Sequence, residues 1–240
     1  MSGDFKITQA PRDEAWLHGA EIAVPLEITV RDGEAKIEYY PSAKPLVDEF
    51  LRLFGNIADS VFSHDAISWA NEKFGEFLEE YGFELSPDSG DYYINYTLKS
   101  GKNAAVPEVR RICGGEGYTD LTDTDIDGLI SEGYIIYAAV VGNDIVAVAN
   151  TGEPISKDTP SEVEIGVDTA EKYRRMGYGK ACVCALIREL SERGHVAVYE
   201  CASGNTASIR LAESLGGTVN LRKFYIVGFR KEDMEDSYGI

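Results

Sequence analysis

At 240 residues, 44% hydrophobic and 27% charged, the chain has the balance of one large or two small folded domains, either able to bury a core. No apolar run approaches the roughly 20 residues of a membrane span, and MSGDFKITQAPRDEAW lacks the basic start and apolar stretch of a signal peptide, so a cytoplasmic protein without a membrane partner is expected. A net charge of −18 repels nucleic-acid backbones and favours a cationic small molecule or basic peptide, where it does more than keep the chain soluble. Cys113, Cys182, Cys184 and Cys201 form no CxxC pair and histidines number only 3, which argues against a metal site or a disulfide framework.

The N-terminal half begins with EIAVPLEITV (21–30), the turn RDG and EAKIEYY (34–40), a predicted hairpin. KPLVDEFLRLFGNIADSVF (44–62) repeats apolar residues near 3.6 spacing through Leu46, Phe50, Leu53, Phe54 and Ile57. HDAISWANEKFGEFLEEYGF (64–83) does the same through Ile67, Ala70, Phe74, Phe77, Leu78 and Tyr81, closing near Gly82. SPDSG reads as a turn, DYYINYTLK (91–99) as a strand, and SGKNAAVP (100–107) as a linker. None of these pieces carries a chemical motif, and their aromatic stripes read as core.

Beyond residue 110 the texture changes. TDLTDTDIDGLISEG offers helix-capping side chains, and YIIYAAVV and IVAVANTG flank Gly142-Asn143-Asp144, a hairpin signal. SEVEIGVDT (161–169) is a strand, followed by a glycine-containing loop and a helix to about Arg193. HVAVYECA (195–202) is a strand, NTASIRLAESLGG (205–217) a short helix closed by glycines, and TVNLRKFYIVGF (218–229) a last strand. The order is that of a mixed α/β layer around one sheet. The division expected is an N-terminal α/β region over 1–105, a second domain over 106–230 and an acidic tail over 231–240.

The loop EKYRRMGYGKA, with its arginines, glycines and lysine, calls for an anion. A P-loop requires G-x-x-x-x-G-K-[ST], but Arg174 stands for the first glycine and Ala181 for the Ser/Thr. The dinucleotide fingerprint finds Gly177, Gly179 and an acid, Glu200, yet Cys182 occupies the third small position and no further βα units follow. The remaining pattern is R-x-x-G-x-G, Arg174 to Gly179. Here glycine lets backbone amides approach phosphates, and the helix that starts at the loop adds its positive end.

In that pattern and in its surroundings, roughly 118–229, the chain resembles the GNAT-type N-acetyltransferases. The segments VEIGVDTAEKYRRMGYGKA and CASGNTASIRLAESLGG carry the resemblance, in the family's order of strand, loop, long helix, strand and Asn-initiated helix. The resemblance implies a GNAT-like acyl-CoA acyltransferase fold whose fourth and fifth strands splay apart to admit the pantetheine arm of acetyl-CoA. It implies that Val167 pairs with that arm, and that Met176, Gly177, Tyr178, Gly179 and Lys180 hold the pyrophosphate with charge from Arg174 and Arg175. Asn205 and Ser208 would touch the cosubstrate near its thiol, although Asn205 also reads as a plain N-cap.

One departure stands out. Where many members carry a Tyr that serves as acid for the departing thiolate, this chain has Ala212. Tyr199 and Tyr225 lie on flanking strands, but a buried tyrosine with a satisfied hydroxyl is the expectation for each. Glu164, between Val163 and Ile165, is the candidate base for the incoming amine, and equally a surface carboxylate. The function implied is acetyl transfer from acetyl-CoA, without metal, to a primary amine of a small molecule or peptide, cationic by the charge argument. The alternative is a degenerate acyl-CoA-binding sensor or interaction module. The N-terminal region would shape the acceptor site or a homo-oligomer contact.

Overall fold

The computed structural model describes residues 6–13, 20–87, 89–99, 108–114 and 117–230. The expected linker at 100–107 and the acidic tail at 231–240 lie outside the described residues. The first half runs β1 (Lys6–Pro11), β2 (Ile22–Arg31), β3 (Glu34–Tyr39), α1 (Lys44–Phe54), α2 (His64–Glu80), β4 (Phe83–Leu85) and β5 (Tyr93–Thr97). The second half runs β6 (Glu108–Ile112), β7 (Thr119–Asp120), α3 (Ile126–Glu132), β8 (Ile136–Val141), β9 (Asp144–Thr151), β10 (Glu162–Thr169), α4 (Tyr178–Glu192), β11 (Val196–Ala202), α5 (Thr206–Ser214) and β12 (Thr218–Arg230). The mixed α/β class expected from the sequence is the one found.

Two compact units share the chain: Met1–Ile94 with Ala202–Gly204 and Asn220–Ile240, and Asn95–Cys201 with Asn205–Val219. In the first, β2 and β3 form the expected hairpin about Asp32 and Gly33, both with positive φ. β1 pairs parallel with β3, and β12 antiparallel with β2. Leu26, Ile28, Ile37, Phe50, Phe74 and Phe224 are fully buried between these strands and the two helices. The apolar periodicity over 44–62 overruns the helix, which stops at Phe54 with Gly55 as C-cap. The Ser60 hydroxyl turns back to the carbonyls of Phe54 and Ile57, the kind of acceptor a helix end leaves over. Ile57, which looked periodic, is 59% exposed.

In the second unit the strand order is β11-β10-β9-β8-β6, with β7 beside β9. β8 and β9 make the hairpin read from Gly142-Asn143, and Gly142 has φ +65°, the left-handed conformation such a turn demands. α4 buries Ala181, Cys182, Val183, Leu186, Ile187 and Leu190. Burial pushes the Cys182 thiol up to about 12, so this cysteine behaves as a small core hydrophobe, its sulfur 3.5 Å from the Ala147 carbonyl. None of the four cysteines is joined in a disulfide. Asp125 caps α3 by accepting from the Gly128 N–H at 3.0 Å, and Gly133 ends it with φ +92°.

Candidate active site

β10 and β11 run parallel but pair only from Glu162↔Val196 to Glu164↔Val198. Past Glu164, β10 stays in register with β9, from Ile165↔Thr151 to Thr169↔Ala147, while β11 goes on to Ala202 without it. Two central strands therefore part and a wedge opens between them. The hydrogen bonds from Ala170 N–H to Val146 O and from Gly152 N–H to Glu164 O show that even-numbered residues of β10 give their backbone groups to β9. Those of Ile165, Val167 and Thr169 face the side of β11. Thr169 satisfies its own locally: its N–H donates to Asp168 Oδ1 at 2.6 Å and its carbonyl accepts from Arg174 Nε at 3.0 Å. Val167 keeps both N–H and C=O on the open edge.

Asp168 had no assigned role in the sequence. Its second oxygen accepts from the Asp123 N–H at 2.8 Å, tying the loop before α3 to the end of β10. An Asp at a strand end bonding the next amide is a recognisable turn signal, but its partner across 45 residues leaves no trace in the local pattern.

After Thr169 the chain makes a 3-10 turn over Glu171–Tyr173, extends at Arg174, and reaches Gly177, the N-cap of α4. Arg175 has φ +62° and Gly177 φ +89°. The glycine takes this left-handed conformation freely, whereas the arginine takes it at a cost of about 1–2 kcal/mol. No side chain caps α4, so its first amides point into the loop with the positive end of the helix behind them. The Tyr173 and Tyr178 rings meet edge-on at 5.9 Å and brace the loop. Arg174, Arg175 and Met176 are exposed.

Two motif residues have structural duties. A Cβ on Gly179 would lie 2.7 Å from Thr169 Oγ1 and 3.2 Å from Val167 Cγ2, so this glycine lets the first turn of α4 lie against β10. Lys180 Nζ donates to the Ser214 carbonyl at 2.9 Å, where a cation suits the C-terminal end of α5.

The contacts of Val167 and Thr169 with α4 put the odd side chains of β10 on the helix face. Glu164 thus points to the opposite face, exposed, between buried Val163 and Ile165. Its neighbours there are glycines: a Cβ on Gly152 would come within 3.3 Å of Glu164 Cβ, and one on Gly166 within 3.1 Å of Asn150 Oδ1. Glu164 is the last residue of β10 that pairs with β11.

Asn205 is the N-cap of α5, its Oδ1 accepting from the Ser208 N–H at 3.0 Å. The Ser208 hydroxyl accepts from Tyr199 OH at 2.8 Å. Tyr199 is 7% exposed, and burial, only partly opposed by the bond to Ser208, raises its pKa. Ala212 is fully buried. Tyr225, on β12 in the first unit, stacks on Tyr93 with centroids 5.2 Å apart.

Among the described residues no group of three or more His, Cys, Asp or Glu is arranged to hold a metal ion, and no helix is long and apolar enough to cross a membrane.

Residues 132–220 match the family model described as GNAT acetyltransferase, and the resemblance read from the sequence is borne out over that stretch. No curated protein matches the chain at a significant level. Among solved structures, a GNAT-family protein from Novosphingobium aromaticivorans DSM 12444 is 17% identical with a TM-score of 0.48, covering 62% of this chain and 68% of its own. A GNAT-family acetyltransferase from Colwellia psychrerythraea is 13% identical with a TM-score of 0.45, covering 67% and 71%. A ribosomal-protein-alanine N-acetyltransferase from Brucella melitensis is 24% identical with a TM-score of 0.34, covering 43% and 74%.

Proposed function

We propose that the second unit binds acetyl-CoA along β10 and the start of α4 and transfers its acetyl group to a primary amine of a small molecule or peptide. The observation that carries this reading is the parting of β10 from β11 beyond Glu164↔Val198, inside the stretch that matches the acetyltransferase family. A pantetheine arm carries amide groups, and Val167 offers a donor and an acceptor to pair with them. When bound, acetyl-CoA supplies an activated acetyl group as its thioester. The backbone amides of Met176, Gly177, Tyr178, Gly179 and Lys180 surround the pyrophosphate at the positive end of α4, and Arg174 and Arg175 add positive charge. Asn205 and Ser208 contact the arm near its sulfur.

Glu164 takes the proton that the amine must lose, directly or through a water. The net charge of −18 draws in a cationic acceptor, and the protein works in the cytoplasm.

The experiment is acetyl-CoA-dependent thiol release over a panel of amines at rising ionic strength, beside calorimetry of acetyl-CoA binding. A cationic amine should turn over, with kcat/KM falling as salt screens charges beyond about 8–10 Å. Binding without turnover of any amine would favour the sensor or interaction module, to which the buried Ala212 also lends support. Absence of acetyl-CoA binding would refute the reading.

A further inference from the structure

We propose that Ser208, oriented by Tyr199, donates the hydrogen bond that stabilises the thiolate as it leaves; this rests on the acetyl-transfer reading above. Tyr199 is the first residue of β11 past its last pair with β10, Glu164↔Val198. Val163 pairs with Ala197, so the Tyr199 side chain, two residues on, lies on the same face of the sheet as Ile165 and Val167, beside the point where the strands part. Its ring is buried, and its hydroxyl donates to Ser208 Oγ at 2.8 Å. Since Ser208 accepts that bond, its own hydroxyl proton is left to donate elsewhere. The serine amide is held as well, by Asn205 Oδ1 at 3.0 Å. Backbone and hydroxyl of one half-exposed residue are thus both fixed by neighbours.

The position of Ala212 points the same way. Ser208 and Ala212 lie one turn apart on the same face of α5. Long helical side chains lean back towards the N-terminus, so a tyrosine at 212 would carry its phenol over residue 208. Here residue 212 is a fully buried alanine, and a phenol reaches the same serine from β11 instead.

The relative acidities decide what the pair does. Burial holds the Tyr199 proton above its ordinary range, near 10, while an ordinary thiol ionises near 8.5. Proton transfer from the phenol to a thiolate is uphill, whereas hydrogen-bond donation is not. In the step proposed, the amine nitrogen bonds to the carbonyl carbon, the C–S bond breaks and its electron pair settles on sulfur, which leaves as thiolate against the Ser208 O–H. The proton shed by the amine goes to Glu164, and the thiolate is reprotonated from water after release. The Tyr199 bond makes the serine a stronger donor by polarising it.

Ser208→Ala should lower kcat by about ten- to a hundredfold, the worth of a hydrogen bond to a charged group, with the acetyl-CoA Kd within about threefold. Tyr199→Phe should lower kcat by about five- to tenfold. The double variant should be no worse than Ser208→Ala alone, because Tyr199 acts through the serine. Ser208→Thr, which keeps the hydroxyl, should stay near the parent. A readout independent of turnover is the thiol pKa of bound CoA, followed by thiolate absorbance: Ser208→Ala should raise it by about one unit, matching a tenfold effect. Unchanged kcat and unchanged bound-thiol pKa in Ser208→Ala, with a parent that turns over, would overturn the proposal alone. A Tyr199→Phe variant that loses thermal stability but leaves the thiol pKa in place would reduce Tyr199 to packing and overturn its half. A parent that binds no acetyl-CoA would take the proposal down together with the acetyl-transfer reading.

Discussion

Replacing Gly179 with alanine separates two reasons for a glycine at the start of α4. The added Cβ would meet Thr169 Oγ1 at 2.7 Å and Val167 Cγ2 at 3.2 Å. The first contact is too close to keep, and overpacking of this kind costs about 1–3 kcal/mol. Alanine returns about 1 kcal/mol as the better helix former. The net expectation is a loss of about 1 kcal/mol, a shift of a few degrees in Tm for a protein of this size. Thr169→Ala removes the oxygen responsible. In that background only the Val167 methyl must yield, by a few tenths of an ångström, and Gly179→Ala should become neutral or slightly stabilising. The two substitutions should therefore couple by about 1–2 kcal/mol in a double-mutant cycle, measured by denaturant unfolding. Calorimetry of acetyl-CoA on the same four proteins completes the test. If the glycine serves packing, affinity returns with stability in the double variant; if it serves approach to the pyrophosphate, stability returns and affinity does not. Equal destabilisation by Gly179→Ala with and without Thr169 Oγ1 would refute the steric reasoning.

Lys180→Met should cost about 0.5–1.5 kcal/mol through the lost bond to the Ser214 carbonyl. It should weaken acetyl-CoA and acetyl-pantetheine equally; a loss confined to acetyl-CoA would mean that the lysine holds phosphate after all. Tyr137 OH donates to Glu189 Oε2 at 2.9 Å, and burial followed by that bond raises its pKa to about 12. A phenol whose folded pKa lies above its unfolded value contributes stability fully present below about pH 10 and lost as pH climbs towards 12. Unfolding measured across that window should show Tyr137→Phe losing less stability than the parent; parallel curves would contradict the sign.

The run from β10 to α5 was legible because its signals are local. Alternation in SEVEIGVDT, the glycines of the loop, the Asn205 cap and the closing glycines each act within a few residues. The edge strands β1 and β6 were missed for the complementary reason. KITQAP and EVRRI are mostly exposed, so neither shows the apolar alternation that a half-buried strand displays. Over 44–62 the apolar spacing runs past the end of α1 at Phe54, because Ile57 keeps the spacing while facing solvent. At the site, the Val167 edge followed from resemblance alone; nothing in the residues of β10 says that β11 will part from it after Val198. Nor did the sequence separate the roles of the cations. Lys180 looks like Arg174 and Arg175 in the motif, and only its partner 34 residues away gives it a different duty. The Tyr199–Ser208 bond crosses from strand to helix, and no periodicity relates such a pair.

An exposed strand edge invites other strands, and a sheet opened in its middle carries that hazard into its own core. The wedge limits it by length and by occupancy. Only Ile165–Thr169 run beyond the last pair with β11, and the Thr169 groups are already taken by Asp168 and Arg174. What remains centres on a single residue, far short of the five or six of a typical strand. A stray peptide gains too little there to add itself to the sheet or to seed aggregation, whereas a slender ligand carrying an isolated amide loses nothing by the shortness. Asp168 and Arg174 thus act as gatekeepers against β-augmentation while leaving Val167 open.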